Sequence, residues 1–148
     1  SRWSRGLGDV YKRQGWHLTL DPPHPALVPD ILFPRDVLAY LASEARDRLF
    51  LVDDEAPEIL PGIGAFYIGG HTMCSQAFTV QTKKGLAVFP GDTIFYYENL
   101  ERNHPVGLAV DIAECYEAME RVRQVADIFV PPHDPALLQK YPDGVIVK

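Results

Sequence analysis

Two segments of the chain carry hydrophobic residues at the spacing of an amphipathic helix. This pattern predicts helices over residues 35–48 and 111–126. At the start of the second segment, Asp111 can act as N-cap and Glu114 stands at the capping-box position. The expected buried stripe of this helix consists of Ile112, Cys115, Met119, Val122 and Ala126. We expect both helices to cover an apolar surface.

Short runs of β-favouring residues lie at 60–68, 76–82, 86–89 and 127–130. Lys83-Lys84-Gly85 separates two of these runs and predicts a hairpin turn between antiparallel strands. The last run is followed by a proline-rich loop and by a helical turn at 136–141. Strands and helices in this order predict a layered α/β fold.

The amino-terminal residues 1–14 differ in composition from the rest of the chain. They contain several Arg and Lys residues and no helix or strand period. We interpret them as a leader foreign to the natural protein, with a disordered basic leader as the alternative. The remainder, 15–148, is interpreted as part of one domain whose natural form extends further upstream. Within it, the proline-rich stretch 21–34 predicts an extended loop.

Composition excludes several classes of protein. The net charge is −6 without a long basic run, which argues against a nucleic-acid-binding surface. No apolar stretch reaches the roughly 20 residues that cross a bilayer, so we expect no membrane partner. The two cysteines, Cys74 and Cys115, are expected to be free thiols in a reducing compartment. The predicted location is the cytoplasm.

Three places put a metal-binding side chain beside glycine or proline at the end of a predicted strand. They are His71 after Gly69-Gly70, Asp92 after Pro90-Gly91, and His133 after Pro131-Pro132. Two imidazoles and a carboxylate are ligands that suit zinc. Taken singly, each histidine is more often a hydrogen-bonded structural residue and the Gly-Asp pair more often a turn. Their recurrence favours a metal site.

The order of GGHT, GDT and PPHDP resembles that of the metallo-β-lactamase superfamily. The run GDTIFYYENLERNHPVG and the ending PHDPALLQKYP are similar to the branch that includes N-acyl homoserine lactonases. The resemblance covers residues 58–146. It implies an α/β fold, specifically the C-terminal half of a four-layer αβ/βα sandwich whose first sheet is largely missing from this chain.

The resemblance also implies a ligand set. The superfamily motif His-x-His-x-Asp-His matches this chain at His17 and Asp21, whereas Thr19 and Pro22 replace two ligands. The first metal site would keep His17, His71 and bridging Asp92. The second site would keep Asp21, Asp92 and His133. We therefore expect one or two zinc ions.

The activity implied is hydrolysis of a small carbonyl ester, with lactones as the guess from the resemblance, by a metal-activated water that Asp21 or Asp92 orients. In the lactonases a tyrosine three residues after the bridging aspartate holds the substrate; here that position is Phe95, followed by Tyr96 and Tyr97. This departure, with Thr19 and Pro22, motivates the alternative of a non-catalytic binding or structural module. The sequence does not indicate an oligomeric state.

Overall fold

A computed structural model describes residues 9–31 and 33–146 of the chain. The chain divides into two compact units. The first unit is Ser1–Asp53 and the second unit is Asp54–Lys148. Each is described below by itself.

The described part of the first unit contains two parallel strands and two helices. Strand β1 (Asp9–Lys12) pairs with β2 (Leu49–Val52), and the helices between them are α1 (Arg13–Leu20) and α2 (Arg35–Ala42). Single 3-10 turns lie at Pro25–Leu27 and Arg46–Arg48. The core of this unit is formed by Trp16, Leu41, Ala45 and Leu49.

The segment interpreted as a foreign leader contributes β1, which gains backbone hydrogen bonds from β2 that require no side-chain period, and the leader assignment itself stays a prediction. One prediction for this unit is wrong. The helix expected over 35–48 ends at Ala42, because Ser43 leaves the helical conformation and its hydroxyl bonds the Ala39 carbonyl. Residues 1–8 lie outside the described residues. Over the described residues 21–31 and 33–34, the expected loop is present apart from its 3-10 turn.

The second unit is built on a five-stranded sheet in the order β3-β4-β5-β6-β7. The strands are β3 (Glu55–Leu60), β4 (Ile63–Tyr67), β5 (Gln76–Thr82), β6 (Gly85–Phe89) and β7 (Ile128–Phe129). The predicted hairpin between β5 and β6 is confirmed, since Thr82 pairs with Gly85. The strand expected over 60–68 is present as β4 but begins only at Ile63, because the chain turns at Gly62, whose φ of 75° favours glycine.

Three helices accompany this sheet: α3 (Tyr97–Glu101), α4 (Ile112–Val125) and α5 (Ala136–Lys140). Asp111 caps α4 as predicted, accepting hydrogen bonds from two backbone amides. Met119 and Val122 are fully buried in a cluster with sheet residues. Ile112 is 54% exposed, contrary to prediction, because it lies at the edge of the inner face at the first turn. None of the helices in the described ranges is long and apolar enough to span a membrane.

The direction of the strands brings three loops to one edge of the sheet. Strand β4 is antiparallel to β5, and β5 is antiparallel to β6, so β4 and β6 run in the same direction. Strand β7 is parallel to β6. The carboxyl ends of β4, β6 and β7 therefore share an edge. The loops that leave these ends carry His71, Asp92 and His133.

Truncation of the central core residue of α4 tests this packing. Replacing Met119, whose side chain is fully buried, by Ala should lower the free energy of unfolding by about 2–5 kcal/mol, because a cavity replaces dispersion contacts. Glu117→Ala on the exposed face of α4 serves as the control and should change it by less than about 0.5 kcal/mol. The measurement is urea denaturation followed by circular dichroism. Equal effects of the two variants would contradict the assigned face.

Candidate functional site

His71, Asp92 and His133 lie together at this edge of the second unit. The Nε2 atom of His133 is 2.8 Å from Asp92 Oδ1, and the Nε2 atom of His71 is 3.8 Å from Asp92 Oδ2. The His71 side chain is 16% exposed, whereas those of Asp92 and His133 are half exposed. The two imidazoles thus approach different oxygens of one carboxylate that remains open to solvent.

The loop that carries His71 depends on two glycines with left-handed backbone. Gly69 has a φ of 58° and Gly70 a φ of 74°. A Cβ atom on Gly70 would lie 2.6 Å from the Cys115 Sγ atom, so only glycine permits this approach to α4. The loop is also fixed by the buried Thr93 hydroxyl, which donates a 2.7 Å hydrogen bond to the Gly69 carbonyl. The Gly-Gly pair therefore fixes the position of the backbone at His71.

The orientation of the His71 ring is fixed by a backbone carbonyl. Its Nδ1 atom is 2.7 Å from the Leu108 carbonyl oxygen. A carbonyl oxygen can only accept, so Nδ1 carries the proton and Nε2 of the neutral ring carries a lone pair. This arrangement is typical of metal-binding histidines, whose second nitrogen donates to a carbonyl or carboxylate.

The loop that carries His133 is held by its neighbour Asp134. One carboxylate oxygen of Asp134 accepts a 2.8 Å hydrogen bond from the Tyr97 amide, and the other accepts one from the Ala136 amide at the start of α5. The His133 amide donates to the Phe95 carbonyl. Because an ionised carboxylate can only accept, His133 donates from Nε2 to Asp92 in this arrangement.

Phe95 packs its ring against both imidazoles. The ring centroids are 4.4 Å apart for Phe95 and His133, and 6.1 Å apart for Phe95 and His71. Phe95 has no hydroxyl, and the side chain of Tyr97 points elsewhere, stacking edge-on against Phe129. Burial raises the pKa of Tyr97, and its hydroxyl has no hydrogen-bond partner among the described residues. The apolar face of Phe95 thus excludes water from one side of the pair.

Phe95 also lines a cavity of about 490 Å³ in the second unit. Its lining includes Tyr96, Asn99, His104, Pro105 and Val106. Asn99 fixes this loop, because it accepts from the Tyr96 amide and donates to the His104 carbonyl. Glu98 instead forms an exposed ion pair with Arg102. The cavity has the volume of a small-molecule site.

The two remaining predicted ligands belong to the first unit. His17 lies in α1 and Asp21 directly follows it, and both side chains are exposed. Thr19 is buried and its hydroxyl bonds the Gly15 carbonyl, as a helix residue rather than a ligand. His24 accepts a hydrogen bond from the Ala26 amide and caps the turn that follows. The assignment of His17 and Asp21 as metal ligands stays a prediction.

Sequence reasoning missed the role of Glu114. Instead of closing a capping box, its carboxylate accepts hydrogen bonds from the Tyr67 hydroxyl and the Gly70 amide. Burial, together with Glu114, raises the pKa of Tyr67. Tyr67 and Glu114 are 47 positions apart in the sequence, so no local sequence pattern indicates that they form a hydrogen bond.

The donor types at the sheet edge suit a divalent metal, although their spacing is not that of an assembled site. Within 9–31 and 33–146, no three His, Cys, Asp or Glu side chains form a group that could hold a metal ion as placed. Two ligand atoms on a tetrahedral zinc ion lie about 3.3 Å apart. The contacts of 2.8 Å and 3.8 Å to Asp92 lie on either side of that value. The donors fit zinc in type, and His71 fits it in tautomer, whereas His133 would have to give up its Nε2 proton and its hydrogen bond to Asp92 to bind the ion.

Comparisons with known proteins establish the fold. No protein-family model and no curated protein matches the chain. Among solved structures, it is similar to AiiA of B. thuringiensis with N-decanoyl-L-homoserine bound at the active site, with a TM-score of 0.64 and 16% identity. That match covers 90% of this chain and 50% of the other.

Two further structures give the same result. One is the hydrolase AbOPH of the beta lactamase superfamily, with a TM-score of 0.63, 18% identity and coverage of 86% of this chain and 48% of the other. Another is AidC, a dizinc quorum-quenching lactonase, with a TM-score of 0.59, 13% identity and coverage of 85% and 47%. This chain spans about half the length of these structures. It has the mixed α/β fold of the half that it matches in these metallo-β-lactamase-fold hydrolases.

Proposed function

We propose that this chain is the part of a metal-dependent hydrolase that supplies His71, Asp92 and His133 as metal ligands, and that its substrates are small carbonyl esters, with lactones as the preferred class. The observation that carries the proposal is the approach of two imidazole Nε2 atoms to the two oxygens of Asp92. The hydrogen bond from His71 Nδ1 to Leu108 supports it further, because it directs the lone pair of that ring towards the carboxylate.

A bound divalent ion would act as a Lewis acid on the substrate carbonyl. It would also lower the pKa of a bound water molecule towards neutrality. Asp92 would hold the ion through one oxygen and could orient the attacking water through its solvent-exposed carboxylate. His71 and His133 would complete the ligand set from the two neighbouring loops. Zinc is the metal that this donor set fits best.

The cavity lined by Phe95, whose ring packs against His133, supports the substrate class. It is of small-molecule size and combines apolar residues with Asn99, His104 and the Glu98–Arg102 ion pair. A compact ester with an apolar substituent would match this lining. Structures of similar fold contain N-acyl homoserine products, which supports lactones within that class.

A second candidate is a binding or structural module without catalysis. Two observations favour it: His133 is hydrogen-bonded directly to Asp92, and Phe95 places no hydroxyl beside the pair. The two candidates differ in hydrolysis, because the module would retain the fold without turnover.

Metal content tests the ligand assignment. The purified chain should take up about one zinc ion, and Asp92→Ala should take up less than about a tenth as much, because the carboxylate common to both imidazoles is lost. Glu117→Ala, an exposed substitution on α4, is the matched control and should retain zinc. The measurement is elemental analysis after zinc loading and gel filtration. Retention of zinc by Asp92→Ala would contradict the assignment.

Turnover tests the chemistry. With zinc bound, the chain should hydrolyse the ester bond of lactones that differ in acyl-chain length. Asp92→Asn should lower kcat/KM by about 10²–10⁴-fold, since an amide neither binds the ion as well nor accepts a proton. The measurement is pH-stat titration of the released acid. A zinc-loaded chain that is inert to lactones and to simple esters would contradict the hydrolase and support the module.

A further inference from the structure

Glu114 occupies a position between α4 and the loop that ends in His71. Its Oε1 atom accepts a 2.8 Å hydrogen bond from the Tyr67 hydroxyl, and its Oε2 atom accepts a 2.9 Å hydrogen bond from the Gly70 amide. The residues that it joins lie two positions before and one position after Gly69. Glu114 thus ties both ends of the turn that precedes His71 to one helix.

With the Glu114 carboxylate in place, the turn has no space for a side chain on Gly69. A Cβ atom on Gly69 would lie 2.4 Å from Glu114 Oε2 and 2.6 Å from the Tyr67 hydroxyl. The positive φ of Gly69 favours glycine, and a Cβ atom there would displace the Glu114 carboxylate and the Tyr67 hydroxyl from their hydrogen bond. The Gly-Gly sequence and the glutamate form one packing unit.

The opposite side of the same turn is held by the segment that leads into α4. The Gly70 carbonyl accepts hydrogen bonds from the amides of Val110, at 2.8 Å, and Asp111, at 3.1 Å. Two residues earlier, the Leu108 carbonyl accepts from His71 Nδ1. Residues 108–114 therefore contact the turn through its amide, its carbonyl and the imidazole that follows it.

We propose that Glu114 is a positioning residue for His71: by fixing the Gly70 amide and Tyr67, it keeps the ring with Nδ1 on Leu108 and Nε2 towards Asp92. This inference rests on the proposed metal-dependent function and extends it to a residue that touches neither substrate nor ligand atoms. A partner one contact away from a ligand typically changes metal affinity by about 10–100-fold.

The decisive variant is Glu114→Ala, which leaves the Gly70 amide without its acceptor. Glu114→Gln is the conservative variant, because an amide can accept from Gly70 and donate to the Tyr67 oxygen. Tyr67→Phe removes the hydrogen bond from tyrosine to Glu114, leaves the Gly70 contact in place, and provides a second test should Glu114→Ala fail to fold. Asp127→Ala is the structural control, since it removes another carboxylate from a backbone amide, that of Leu86.

Two measurements separate positioning from stability. The first is the His71 tautomer in the metal-free chain, from long-range ¹H–¹⁵N correlation spectra. We expect Nδ1–H in the unmodified chain, in Glu114→Gln and in Asp127→Ala, a mixture of tautomers in Glu114→Ala, and a smaller change of the same kind in Tyr67→Phe. The second is the zinc dissociation constant, by competition with a chromophoric chelator, read beside the Tm of each variant.

Glu114→Ala should weaken zinc binding by about 10–100-fold, whereas Asp127→Ala should change it by less than about threefold even at an equal loss of Tm. An unchanged His71 tautomer in Glu114→Ala, or an equal change in Asp127→Ala, overturns the proposal. If the unmodified chain binds no zinc, the proposed function fails by itself, and the tautomer spectra still decide the role of Glu114.

Discussion

The common direction of β4, β6 and β7 is the constraint on which the candidate site depends. Three strands that run the same way deliver their following loops to one edge, so side chains from 71, 92 and 133 meet although they are far apart in sequence. The buried face of α4 holds this sheet through Met119 and Val122. The same helix, through Glu114, also holds the first of the three loops.

Packing and chemistry are joined most closely at the first turn of α4. Cys115 is fully buried beside Gly70, and burial raises the pKa of its thiol, so it serves as an apolar packing residue rather than a nucleophile. One residue earlier, Glu114 points to the loop and satisfies two donors. A single helix turn therefore contributes both to the core and to the order of the His71 loop.

Local sequence patterns predicted the parts of the molecule that local physics determines. The β5–β6 hairpin and the Asp111 cap follow from turn and capping preferences, which act over a few residues. His71, Asp92 and His133 could be singled out because a metal-binding residue beside glycine or proline recurs at three strand ends, although each occurrence alone is common in structural loops. Their approach to one another is the part of that prediction that the described geometry supports.

Long-range contacts account for what the sequence did not predict. Glu114 fits a capping box by spacing alone, yet the two donors of the distant Tyr67–Gly70 segment compete for its carboxylate. The helix expected over 35–48 ends early because the Ser43 hydroxyl donates a hydrogen bond to the Ala39 carbonyl and Ala45 packs in the core. Residues 9–12 form a strand only because Leu49–Val52 offers a parallel partner. The partners of Glu114 and of residues 9–12 are far away in sequence and are not visible within a local window.

The central claim is that two imidazoles and one carboxylate of the second unit bind a metal together. Zinc K-edge X-ray absorption of the zinc-loaded chain tests it most directly. We predict a first shell of nitrogen and oxygen at about 2.0–2.1 Å with the multiple-scattering pattern of two imidazoles, reduced to one imidazole in His133→Ala. A sulfur shell at about 2.3 Å, which would assign the metal to a cysteine, or a spectrum unchanged in His133→Ala, would contradict the account.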